Sequence, residues 1–127
     1  MTPSVPDVLL ELAGLLVRNA APDVPPSERA SNLSLSAALL GILAETWDGQ
    51  AAILVEENGA FRTLLGQDGI DADLRLSALQ AENDRLRAGL ITLQIGAETA
   101  RDTAMQDRIW AELAASTERR RLSTAPV

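Results

Sequence analysis

Acid–base chemistry in this chain would have to rest on carboxylates. Glu45, Glu56, Glu57, Glu82 and Glu98 fall on stretches with helical periodicity, and carboxylates are the only side-chain type here that could act as general acid or base. The groups that would complete such a site are missing. The 127 residues contain no His, Cys, Tyr or Lys, and all eleven basic residues are Arg. There is no thiol nucleophile, no imidazole base, no amine for a Schiff base and no soft metal ligand. Ser and Thr hydroxyls have no His or Lys to activate them, and no Gly-rich loop follows a strand pattern to cradle a nucleotide. Dimetal sites in helical bundles use inward-facing Glu and Glu-x-x-His pairs. With no His and no Glu on an apolar seam, each Glu reads as a solvated charge on a helix face. Trp47 and Trp110 could frame a small ligand, but a Trp at helical spacing more often anchors a core. The chain therefore reads as a non-enzyme, with no catalytic, cofactor or metal residue assigned.

Two further groups could recognise rather than react. Asn58 and Asn83 sit in similar stretches, Glu57-Asn58-Gly59-Ala60-Phe61-Arg62 and Glu82-Asn83-Asp84-Arg85-Leu86-Arg87. An Asn both donates and accepts, so two facing ones can satisfy each other. The bland reading is a polar rung that pins register at some cost in stability; replacing both by Leu should then raise the melting temperature and loosen register. The functional reading is a polar pocket flanked by Glu57, Glu82, Arg62 and Arg87. The run Arg119-Arg120-Arg121 complements the dipole of a last helical turn, or offers a docking site for an acidic partner.

The elements that must position these residues follow from apolar spacing. One stripe runs Leu76, Leu79, Asn83, Leu86, Leu90, Leu93, Ala97, Ala100, Ala104, in steps of three and four. Another runs Ser36, Leu40, Leu43, Trp47, Gln50, Leu54, Asn58, Phe61, Leu65. Folding the chain back near Asp68 pairs Leu65 with Leu76, Phe61 with Leu79, Asn58 with Asn83 and Leu54 with Leu86. The same register continues through Trp47/Leu93 and Leu43/Ala97 to Ser36/Ala104. The expected fold is all-α with three helices: a short N-terminal helix packed on one end of a long antiparallel helical hairpin. Composition agrees, being rich in Leu and Ala and poor in aromatic and β-branched residues.

The expected boundaries make residues 1–127 a single helical domain. Helix A runs from about Pro6 to Asn19, capped by Ser4 with Asp7 as its capping-box partner. Helix B spans about 27–65 and ends at Gly66 as C′ residue. Helix C spans about 71–120, with Asp71 and Asp73 at its positive start. A frayed tail follows over 123–127. Helix A is expected beside the first half of helix B and against Ala97 to Leu113, forming a three-helix end. The other end would be a bare two-helix arm with apolar residues off the seam: Ile53, Leu64, Leu74, Ile91 and Ile95. An exposed apolar face usually marks an interface, and its simplest partner is a second copy, giving a four-helix homodimer.

Charge and hydropathy bound the partners. A net charge of −7 repels phosphate, so no nucleic acid is expected. The N-terminus lacks a positive n-region, and Asp7 and Glu11 interrupt its apolar run, so it does not read as a signal peptide. No stretch approaches the ~20 uninterrupted apolar residues of a membrane span. The expectation is a cytoplasmic protein without membrane attachment or cofactor. Its function reads as a non-catalytic interaction protein, an adaptor or chaperone-like small subunit, acting through a dimer or partner-docking face. The alternative is an accessory or sensor subunit binding a small apolar ligand between helices. In outline an acidic helical hairpin is similar to the flagellar secretion chaperones, a likeness of architecture carried by no motif.

Overall fold

The structure is a computed structural model that describes residues 3–123. The expected frayed tail lies outside the described residues from position 124 onward. All regular structure among the described residues is helical. Four helices dominate: α1 Val5–Leu15, α2 Ser34–Leu65, α3 Leu76–Ala100 and α4 Thr103–Arg119. The chain divides into two compact units, Met1–Gly49 with Leu122–Val127, and Gln50–Arg121.

In the first unit α1 starts as its sequence dictates. Ser4 Oγ accepts the Asp7 amide at 3.3 Å and donates to Asp7 Oδ2 at 2.5 Å, while a proline occupies the first turn, where no N–H is needed. The helical path runs on past Leu15 as a π-turn, Leu16–Ala20, and a 3₁₀ turn, Ala21–Asp23. A helical turn at Pro26–Glu28 and a π-turn at Arg29–Leu33 lead into α2. Ser hydroxyls bond back to carbonyls here, Ser31 to Ser27 and Ser36 to Asn32, which competes with regular helix geometry. Many apolar side chains of this unit stay open, although Ala44 is buried. Leu43 and Trp47, expected on the buried seam, are 51% and 55% exposed. By length and composition alone, the stretch Pro26–Leu65 is apolar enough to cross a membrane, a test that core helices also pass.

The second unit holds the core. α2 ends in a Schellman motif: Gly66 at φ 64° bonds its amide to Thr63, and the Gln67 amide returns to Arg62 at 2.9 Å. Helix C is not one helix. Residues 71–75 are not helical, and α3 begins only at Leu76. A second Schellman turn then stops it. The Asp102 amide bonds Ala97 O at 2.8 Å, the Arg101 amide bonds Glu98 O, and Arg101 is held left-handed at φ 54°. Asp102 immediately caps α4 by accepting the Met105 amide at 3.0 Å.

The antiparallel hairpin is overturned by the contacts between α2 and α3. Asn58 meets Leu79 O and Asn83, Phe61 clusters with Leu86 and Leu90, and Leu65 lies against Gly89. Residue numbers rise together along the two helices, so they are parallel. Antiparallel pairing through Asn58/Asn83 would leave Leu65 beside Leu76, about 20 Å along α3 from Gly89. The crossover 66–75 makes parallel packing feasible, since ten residues at ~3.3 Å each reach ~33 Å. α4 runs opposite to both: Ser116 and Arg119 meet Glu57 and Glu56, and Gln106 reaches back to Ala97 O. The core of this three-helix unit is Phe61, Leu86 and Leu90, flanked by Leu64, Leu65 and Leu93, with Leu54, Leu79 and Ile109 also buried.

Candidate functional site: a buried polar centre

Below Phe61 the apolar core gives way to charge. Glu57 and Asn58 of α2 and Asn83 of α3 are fully buried, and Arg62 and Ser116 nearly so. One residue ties the two halves of the site together: Asn83 Nδ2 donates to Asn58 Oδ1 at 3.0 Å. Around that bond stand two hubs of opposite sign.

The negative hub is Glu57. Ser116 Oγ donates to its Oε1 at 3.0 Å, Arg120 Nε to its Oε2 at 3.0 Å, and Arg87 Nη2 to its Oε1 at close range. Arg87 also donates to Asn83 Oδ1 at 2.9 Å and stacks over the Phe61 ring, 5.1 Å from its centroid. Burial pushes the Glu57 carboxyl up. The Arg120 hydrogen bond, the charges of Arg87 and Arg120 and the Ser116 hydroxyl together outweigh it, so the group ends below the usual carboxylate range.

The positive hub is Arg62. Its Nη2 donates to Asp71 Oδ1 at 2.6 Å and to Glu82 Oε1 at 3.0 Å. Asn58 Nδ2 also reaches Asp71 Oδ1, at 3.2 Å. The crossover is thereby fastened to α2 at its midpoint. The Glu82 carboxyl is lowered to about 2, chiefly by the Arg85 hydrogen bond and then by Arg62, against the penalty of burial. Arg62 is raised by Asp71 first and Glu82 after it, against the penalty of burial. Asp71 Oδ2 is buried without a hydrogen-bond partner among the described residues.

Neither glutamate carboxyl of the centre is shifted toward neutral pH. A general base near neutral pH needs a carboxyl raised toward the working pH, and both Glu57 and Glu82 are displaced the other way. Ser116 donates to a carboxylate that is already saturated by two guanidiniums, which does not activate its oxygen. What the centre does is join three helices and a crossover through two charged clusters bridged by the Asn58/Asn83 bond.

The sequence-derived candidates distribute as follows. Asn58 and Asn83 meet, and Glu57, Glu82, Arg62 and Arg87 surround them. Asp71, Ser116 and Arg120 were not anticipated here. Ser116 and Arg120 lie at helical spacing from buried Ile109, a pattern legible once a helix break at 101–102 is allowed. Arg119 pairs with Glu56 and Glu112, Arg120 with Glu57, and Arg121 with Glu118 at 3.5 Å. Of the expected interaction face, Ile53 and Leu64 are half-buried, Leu64 against the Phe61 cluster, whereas Leu74, Ile91 and Ile95 are exposed. Compared with known protein families, curated proteins and solved structures, the chain matches none.

Proposed function

We propose that this protein is a non-catalytic helical interaction subunit, adaptor-like, that docks another helical surface through the outward face of α3. The observation that carries this reading is the exposure of Ile91 and Ile95, 64% and 59%, one turn apart on a helix whose opposite face is packed. Solvated helices usually place polar residues there. Trp110 on α4, 64% exposed, adds a large apolar side chain to the outside of the same unit. The buried polar centre serves this function as a brace: it fixes three helices so that the docking face is rigid before a partner arrives.

A second copy is the simplest partner, because a twofold axis lets one patch complement itself. The test is the mass in solution by light scattering, for the parent and for Ile91→Glu and Ile95→Glu. The expected result is a dimer converted to monomer by either charge. A monomeric parent, or variants that keep the dimer mass, would remove this interface.

One observation favours a second reading, a small apolar ligand. Leu65, Leu93, Gly96, Ala97, Ala100 and Met105 line an open groove of about 510 Å³ in which apolar surface dominates, a size that suits small molecules. Thermal shift against aliphatic acids and sterols separates the readings, since only this one expects stabilisation without a change in mass.

A further inference from the structure

Glu57 is outnumbered. Two guanidiniums, Arg87 and Arg120, converge on its single carboxylate, and the remaining acceptor they share, Asn83 Oδ1, is neutral. The cluster of Glu57, Arg87 and Arg120 therefore carries one net positive charge, although Glu57 at its centre is negative. Both guanidiniums are partly open, with side chains 36% and 35% exposed. With Leu113, Thr117, Glu118 and Arg121 they line a groove of about 720 Å³ on the α3–α4 edge, where the Glu118 carboxylate offsets one of three guanidiniums. Their hydrogen bonds use Nε and Nη2; among the described residues neither Nη1 has a protein acceptor. Among the described residues Arg121 pairs with Glu118 alone, at 3.5 Å between two side chains each 71% exposed, a pairing that water largely screens. In a chain of net charge −7 this is a concentration of unspent cationic donors.

We propose that this groove binds a carboxylate of a partner protein, presented by a segment that alternates acidic and apolar residues. The uncompensated charge beside Glu57 is one, which a carboxylate matches and a phosphate dianion exceeds. α4 ends at the groove, and its last carbonyls add about half a negative charge, which opposes any anion and a dianion about twice as strongly as a carboxylate. The planar edges of the two guanidiniums fit the planar carboxylate fork. Trp110 lies two turns before Thr117 on α4, about 10 Å away along the axis. A segment with its acid in the groove can therefore place an apolar side chain on Trp110. This site goes beyond the apolar face of α3 and does not depend on it.

The test is fluorescence anisotropy with a labelled eight-residue peptide alternating Glu and Leu, and its counterpart with Gln for Glu. The expected result is at least tenfold tighter binding of the Glu peptide, lost by tenfold or more in Arg121→Glu, whose melting temperature should match the parent because the residue is exposed. Ile91→Glu should leave peptide affinity within twofold. Equal affinity for the two peptides, or parent-like affinity in Arg121→Glu, overturns the proposal. So does loss confined to Ile91→Glu, which would assign the peptide to the apolar face. Inorganic phosphate displacing the peptide better than acetate at equal ionic strength overturns the choice of a carboxylate.

Discussion

Leu65 packs so closely on Gly89 that a Cβ built there would stand 3.1 Å from Leu65 Cδ1. That contact decides how the second unit is threaded. It joins the end of α2 to the middle of α3, where a hairpin would join it to the start of α3. It also explains why a glycine occupies a helix interior, at a propensity cost of about 1 kcal/mol relative to Ala: the missing side chain is the slot that Leu65 fills.

Two glycines of α3 should then respond in opposite ways. At Gly96 nothing beyond its own helix turn lies within 4 Å of an added Cβ. Gly96→Ala should therefore raise stability by about 0.5–1 kcal/mol through helix propensity and a stiffer unfolded chain. Gly89→Val drives a branched side chain into Leu65 and should lower stability by about 1–3 kcal/mol. Urea unfolding of both variants checks the pair. Equal responses would mean that Leu65 does not occupy the slot.

The sequence made the helices and part of the polar centre legible, but not their direction. A stripe spaced three and four reads the same in either sense, so apolar pattern alone cannot tell a parallel neighbour from an antiparallel one. The Asn58/Asn83 rung is common to both threadings and so could not discriminate. The discriminating signals were local. The ten residues 66–75 are too many for a tight turn yet enough for a return path, and Gly89 marks a close approach on one helix only. Asp71 has the chemistry of a helix-start charge, since acids belong there; in the structure Arg62 and Asn58 hold it instead. The break at 101–102 carries no marker in the sequence, because its left-handed residue is Arg, where Gly is usual.

That break carries its own prediction. A non-glycine residue at positive φ is strained by about 1–2 kcal/mol. Arg101 makes no ion pair among the described residues that would compensate. Arg101→Gly should raise stability by about 1 kcal/mol, whereas Asp102→Ala removes the α4 cap and should lower it by a similar amount. Thermal melting of the two variants measures both signs. A stabilised Asp102→Ala would mean that α3 and α4 prefer to merge into one helix.

The paired asparagines should not behave as an isolated register pin. Asn58 satisfies Asp71 and the Leu79 carbonyl, and Asn83 accepts from Arg87 and Arg120. Replacing both by Leu removes those partners from buried charged groups. The expectation of a higher melting temperature is therefore reversed: Asn58→Leu with Asn83→Leu should lose on the order of 3 kcal/mol. Calorimetry of the double variant checks the sign. A gain would show that the two hubs find other partners.

Acid should weaken the centre in a defined window. Glu57 and Glu82 are held below the ordinary value of 4.5, Glu82 at about 2. A carboxyl with a depressed folded value takes up protons more readily in the unfolded chain, so the unfolded state gains as pH falls. The stabilisation from Glu82 is therefore complete above about pH 4.5 and disappears as pH falls toward about 2. Stability from urea unfolding should be flat from pH 7 to about 5 and decline below that. Glu82→Gln should start lower at neutral pH and decline less steeply, meeting the parent near pH 2. Subtracting the two curves cancels carboxylates that both proteins share. Parallel curves down to pH 2 would show that the guanidiniums of Arg85 and Arg62 do not hold Glu82 in the folded chain.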